Sequence, residues 1–359
     1  MPTSCRVVLA GSLVLLNAPL FTTQAQVVEG RIGRTGNAPA EAVLVALLDD
    51  SARVVSRVVS GAGGRFELAA PAPGSYRLEI RQPGRRPWLS DPVDVDEGVV
   101  VLSPVPDAEA VILPDLRGEA TGRCRSWPAI GAATMQLLDA ARIGLLMAEA
   151  ARRGGSGGGG GPPGQLLIWQ RSLDPQQHIL TESRTPARDA GGWPFKTLPV
   201  DSLAVVGFVY PTVGESAAYY ALDADTFASE WFASTHCFNL VLPEFHADSI
   251  VGLTFEPESR ILRPDVRGTV WLDRRTQAIQ RLEFRYTGLG RWLPGDAAGG
   301  AIDFGRSRGG ALVLTRWWLR LPVAAQRATR DPLLLGYAEV GGEVIGQEPG
   351  PGTGAVAED

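Results

Sequence analysis

The stretch Gly63 to Pro87, "GGRFELAAPAPGSYRLEIRQPGRRP", sets the architecture of the N-terminal part of the chain. Gly63-Gly64 supplies a turn, and after it Phe66 and Leu68 alternate with Arg65 and Glu67. Pro71-Ala72-Pro73-Gly74 turns the chain again, and Tyr76, Leu78 and Ile80 then alternate with Arg77, Glu79 and Arg81. A period of two puts alternate side chains on opposite faces, so each run reads as a strand with one apolar face. The two faces fill facing layers of one core, and Gln82-Pro83-Gly84 closes the unit.

Further runs of the same kind lie around it: Val27 to Ile32, Ala42 to Leu48, Val54 to Val59 and Val93 to Leu102. About six or seven strands within about 80 residues, split by Gly and Pro, predict a small β-sandwich over residues 26–104. The runs "VVEGRI" (27–32), "AVLVALLDD" (42–50, behind Pro39) and the stretch 63–87 resemble the carboxypeptidase regulatory-like domain, a seven-stranded transthyretin-like β-sandwich. Ser60-Gly61-Ala62 departs from it, since the family usually has an acidic residue before the glycines. The resemblance implies an accessory module, without catalytic residues, of secreted peptidases, outer-membrane receptors and other envelope proteins. The peptidase is not apparent: none of His178, His236 and His246 has a Glu three residues on, as a zinc carboxypeptidase motif requires.

Residues 105–164 change in character. Ser126-Trp127-Pro128 opens a helix, and Ile130, Thr134, Leu137, Leu138, Ala141 and Leu145 recur at helical spacing as far as Arg152-Arg153. The run "GGSGGGGGPPG" (154–164) reads as a flexible linker or exposed loop; it follows a helix and no Lys-Ser or Lys-Thr closes it, so it is not a phosphate-binding loop. Residues 165–345 are again rich in strands, among them Ala204 to Val209, Cys237 to Leu242, Ile250 to Phe255 and Leu312 to Leu321. The clearest unit is "RGTVWLDRRTQAIQRLEFRY" (267–286), an antiparallel hairpin about Asp273-Arg274-Arg275-Thr276. The expectation is one large curved antiparallel sheet or half-barrel, with the Ser126 to Arg153 helix over its concave face. Residues 346–359 read as a disordered tail.

This half, with "HCFNL", "GLTFEP", "GTVWLD", "LEFRYTGL" and "RWWLRLP", is similar to the long form of carboxypeptidase regulatory-like proteins of envelope-rich bacteria, which carry no assigned activity. At the level of fold alone, its hairpins are similar to those of periplasmic lipoprotein-carrier domains, too general a likeness to imply a ligand.

The 359 residues are 45% hydrophobic and 20% charged, with a formal charge of −5, a globular composition. The 34 Lys and Arg fall singly or in pairs, so no basic face for nucleic acid is visible. Residues 1–25 read as a secretory signal: Arg6, an apolar run from Val7 to Leu16, and Thr23-Gln24-Ala25 before the cut. No run reaches the roughly 20 apolar residues of a spanning helix. The mature chain is therefore expected in an oxidising space, the periplasm, the outer membrane's surface or the cell exterior. Cleavage removes Cys5 and leaves Cys124 and Cys237, which are expected to form a disulfide. The loop it closes, about 110 residues, corresponds to roughly 4 to 5 kcal/mol in the chain-entropy model.

Other candidate sites carry less. His236 and Cys237 are neighbours on a strand and point to opposite faces, a poor arrangement for a thiol and its base. Glu244, His246 and Asp248 alternate near His236 in a pattern a metal would accept, but "PEFHADS" reads as a turn. Glu256, Glu258, Asp265 and Asp273 are candidate paired carboxylates without a known separation. Trp169, Trp193, Trp231, Trp271, Trp292, Trp317 and Trp318 crowd the second half as core filling or as a surface for a sugar or apolar ligand, and Trp317 and Trp318 must face opposite sides of a strand. The sequence thus predicts an exported, non-enzymatic binding or scaffolding protein of the envelope, without metal or cofactor, whose partner is an envelope protein, a lipid or a glycan. A carrier or sensor of an apolar ligand is the rival, and a hydrolase with an unfamiliar site is a third reading. An apolar cavity between helix and sheet favours the carrier, convergent polar groups in a cleft the hydrolase, and a filled core the scaffold.

Overall fold

The computed structural model describes residues 26–33, 40–96, 98–106, 109, 113, 131–152, 165–188, 193–211, 217–243, 249–258, 263–289, 297–307, 310–327 and 330–345. The proposed signal (1–25), the Gly-rich run (154–164) and the tail (346–359) lie outside the described residues. The fold is mainly β.

Eight short strands make the N-terminal unit: β1 (Gln26–Arg31), β2 (Leu44–Leu48), β3 (Val54–Val59), β4 (Arg65–Ala70), β5 (Gly74–Arg81), β6 (Trp88–Leu89), β7 (Val93–Val95) and β8 (Val99–Leu102). One sheet has the order β4-β1-β8; the other has β3-β2-β5-β6, with β7 also on β5. The alternation read in β4 and β5 holds: Phe66, Leu68, Tyr76, Leu78 and Ile80 are buried together with Val28, Val45 and Val95. The run Val93 to Leu102 is two strands rather than one, because the chain crosses at Gly98 from one sheet to the other.

Strand β2 departs from alternation, being buried at all five positions. Val45 and Leu47 enter the sandwich core, while Leu44 packs outward with Ala42 and Val59 against Ile143, Met147 and Ala150. These last three belong to helix α1 (Ala132–Arg152). The opposite side of α1, with Leu137, Leu138, Ala141, Leu145 and Ala148, packs into the core of the large sheet. A helix that is apolar around most of its circumference must be covered on more than one side, and here a sheet covers each. Arg57 of β3 adds ion pairs to Glu149 of α1 (3.7 Å) and to Asp225.

The large sheet has nine antiparallel strands in the order β10-β9-β19-β18-β17-β16-β15-β14-β13, and it is open rather than closed into a barrel. They are β9 (Gln165–Leu173), β10 (Ile179–Arg188), β13 (His236–Val241), β14 (Ile250–Pro257), β15 (Asp265–Asp273), β16 (Ile279–Thr287), β17 (Gly299–Arg306), β18 (Leu312–Arg327) and β19 (Arg330–Ile345). The predicted hairpin is β15–β16: the Asp273 carboxylate accepts from the backbone N–H groups of Arg275 (3.1 Å) and Thr276 (2.6 Å), holding the turn.

The segment before β13 differs from its strand-only reading. Ala204 to Val209, expected as a strand, is helix in its first half, the end of α2 (Val200–Val206), followed by Gly207 at φ 77°, and the strand is only β11 (Val209–Pro211), paired with β12 (Ala217–Tyr219). Two further short helices, α3 (Ala224–Ala228) and α4 (Glu230–Thr235), went unpredicted although each has a capping signal. Asp223 accepts from Thr226 N at 2.7 Å, and Ser229 accepts from Phe232 N at 3.1 Å. Their Phe227 and Phe232 are fully buried on Phe238 and Phe255 of the sheet.

Helix α1 approaches the sheet closely at Gly144, where a Cβ would stand 2.8 Å from Ile279 Cγ2. Gly144→Val is therefore expected to destabilise the protein by on the order of 2 kcal/mol, since overpacking outweighs the smaller gain in helix propensity. Urea unfolding of the variant beside the parent measures it.

Candidate functional site

Registered residues of neighbouring strands share a face, so the pairing of the large sheet sorts its side chains. Val251, Leu253, Val270, Leu272, Leu282, Phe284, Ile302 and Trp317 face α1, α3 and α4 and are buried. Phe195 seals this side, with ring centroids 5.9 Å from Phe284 and 5.7 Å from Trp317. The space between helix and sheet is packed with side chains.

The other face is polar and aromatic. One row across the strands runs Thr254, Thr269, Glu283, Ala301, Trp318, Gly341, Trp169, Arg184; the next runs Arg267, Arg285, Gly299, Arg320, Glu339, Arg171, Glu182. Ala301 and Gly299 leave a dip, with Glu283 and Arg285 on one side and Trp318 and Arg320 on the other. A groove of about 490 Å³ occupies it, reaching Thr254, Glu256, Arg267 and Thr269. At Gly299 a side chain has no room, for its Cβ would meet Phe284 O at 2.2 Å.

The groove's wall is held from behind. Glu339, buried at 5% exposure, accepts from Arg320 Nε (2.9 Å) and Nη2 (2.7 Å), Arg171 Nη1 (3.1 Å) and Trp169 Nε1 (3.3 Å). Arg320 in turn lies over the Trp318 ring, 5.2 Å from its centroid. The ladder continues through Arg171 Nε to Glu182 (2.7 Å) and from Glu182 to Arg184. Hydrogen bonds from Arg184 and Arg171 hold the Glu182 carboxyl below its usual range. On the far wall Trp271 Nε1 donates to Glu283 (3.0 Å).

The residues singled out in the sequence scatter. His236 is buried, with Nδ1 3.1 Å from Phe232 O and Nε2 3.1 Å from Asp265 Oδ1. Both ring nitrogens are thus engaged, and Asp265 belongs to this buried pair rather than to a carboxylate site. Asp273 caps the β15–β16 turn, and Glu258 follows β14, its N–H bonded to Thr235 O. Only Glu256 of the four candidate acids reaches the groove. Cys237 is buried and registers with Glu256; Cys124 lies outside the described residues, as do Glu244, His246, Asp248 and Trp292. Trp317 and Trp318 do face opposite sides. Trp169 is buried beneath Arg171 and Arg316 on the polar face, and Trp193 and Trp231 pack at the helix-side core. Arg267, Glu283, Arg285, Arg320 and Glu339 were missed, because their meeting depends on strand register. The one signal was the small-residue run Gly299-Gly300-Ala301 inside a strand.

Residues 27–102 match the family model of the carboxypeptidase regulatory-like domain, so the N-terminal sandwich is a module of that kind. No curated protein matches the chain. No described helix is long and apolar enough to cross a membrane.

Exchanging the Glu339 carboxylate for an amide removes the negative charge between Arg171 and Arg320 and replaces one of its two acceptor oxygens with an NH2 donor. Glu339→Gln is expected to cost about 3 kcal/mol, the low end for a broken buried pair because both arginines keep some solvent contact. Chemical denaturation measures the loss.

Proposed function

We propose that the protein is an exported, non-enzymatic envelope protein that binds a polar partner, a glycan in the first instance, in the groove on the outer face of its large sheet. The observation that carries this reading is the division of the sheet's two faces. The helix side is filled by side chains, which weighs against a carrier of an apolar ligand. The other side sets a half-buried indole, Trp318, beside guanidinium donors and carboxylate acceptors. Sugars offer such a surface what it takes: hydroxyls that both give and accept hydrogen bonds, and apolar ring faces that lie on indole. Glu256 and Glu283 lie two strands and two residues apart, roughly 12 Å between Cα atoms by strand spacing. Of these two acids Glu283 is already committed to Trp271 Nε1 (3.0 Å), which weighs against sugar hydrolysis.

Titration of tryptophan fluorescence with a soluble oligosaccharide, chitohexaose, tests the groove. Saturable quenching is expected, with Trp318→Ala weakening the apparent affinity about tenfold and no reducing ends released on long incubation. Release of reducing ends points to the hydrolase, and a lipid retained in native mass spectrometry points to the carrier.

Export and the Cys124–Cys237 bridge are part of the same proposal. Protein recovered from its native compartment is expected to begin at Gln26 and to gain the mass of two hydrogens on reduction. Two alkylatable thiols before reduction, or an intact residue 1–25 segment, would count against it.

A further inference from the structure

A second cavity, of about 300 Å³, lies away from the outer-face groove, where the N-terminal sandwich meets helix α1 and the large sheet. Its floor is apolar: Ala42 beside β2, Met147 of α1, Ile279 of β16 and Leu312 of β18. Its rim carries three arginines from three separate segments. Arg85 comes from the loop after β5, Arg275 from the β15–β16 turn and Arg306 from the end of β17.

No Asp or Glu lines this cavity among the described residues. Two neighbouring acids, Asp273 and Glu41, are engaged elsewhere. Asp273 accepts from two backbone N–H groups of its turn and from the Thr276 hydroxyl (2.8 Å), and Glu41 accepts from Gly63 N (2.7 Å). Arg306 Nη1 donates to a neutral acceptor, the carbonyl of Gly310 (3.0 Å). Arg275 and Arg306 at one small cavity raise the local potential, and an oxyanion gains from both at once. Arginine suits a tetrahedral oxyanion because its planar fork can give two parallel hydrogen bonds.

We propose that this cavity is an anion site, and that it holds a phosphate group with a compact apolar substituent. The phosphate oxygens meet Arg275 and Arg306, and the substituent rests on Met147, Ile279 and Leu312. The volume sits at the low end of small-molecule sites, which fits a headgroup or a small phosphoester rather than a polymer. Because the lining comes from both β units, the bound anion ties them together. The site does not depend on the glycan reading of the outer face.

Thermal unfolding of the full chain with inorganic phosphate, against chloride at matched ionic strength, tests the site. The midpoint is expected to rise with phosphate. Arg275→Ala and Arg306→Ala each weaken the apparent phosphate affinity about tenfold, as loss of a charged hydrogen bond should. Arg53→Ala, which removes an exposed arginine paired to Asp49, and Trp318→Ala leave the response unchanged. Flotation with phosphatidylglycerol vesicles but not phosphatidylcholine vesicles, lost in Arg275→Ala, assigns the phosphate to a lipid headgroup; phosphate binding without flotation assigns it to a soluble phosphoester. Equal midpoints in phosphate and chloride, or a phosphate response that survives the Arg275→Ala, Arg306→Ala double variant, overturn the proposal.

Discussion

Everything in this molecule is arranged around the double burial of helix α1. A 21-residue helix with apolar side chains on most of its surface cannot stand in water, and it is covered by β2 and β3 of the sandwich on one side and by the large sheet on the other. Five fully buried leucines, isoleucines or methionines at about 1.5 to 3 kcal/mol each outweigh the single ion-pair cluster at Arg57 as the source of cohesion. The helix is thus less a connector than the shared core of two β units. That is why β2 abandons alternation and buries both its faces.

The same burial dictates where binding can occur. Once α1, α3, α4 and Phe195 occupy one face of the large sheet, the remaining face is left to water and to partners. An antiparallel sheet tolerates this, because alternate residues can be polar without disturbing the buried side. Here the polar residues form ordered rows rather than a random scatter, and Glu339 ties three strands through Arg320, Arg171 and Trp169. Through Arg320 that network positions Trp318 at the groove. A dip bounded by a fixed indole and fixed charges is a surface prepared in advance, so binding there orders few side chains.

Much of this was legible in the residues. Period-two alternation named β4, β5, β15 and β16 and their buried faces, and the helical spacing of Leu137, Leu138, Ala141 and Leu145 named α1. The failures have physical causes. Ala204 to Val209 is apolar enough for either element, and with Leu203 buried its first half completes a helix. Asp223 and Ser229 are N-caps whose helices are too short to show a period. His236 and Asp265, 29 residues apart, met only because β13 and β15 start near one another under α4.

The sequence alone determined the β class, the sandwich module, the open antiparallel half and the opposite faces of Trp317 and Trp318, since these follow from local periodicity and turn chemistry. Only the tertiary structure decided that α1 is buried on both sides, that Gly299 and Ala301 open a groove between Arg285 and Trp318, and that Arg85, Arg275 and Arg306 share a cavity. Those outcomes depend on strand register and on the meeting of residues far apart in the chain, as Ala42 and Leu312, 270 positions apart, line one cavity. Local sequence patterns carry no record of such distances.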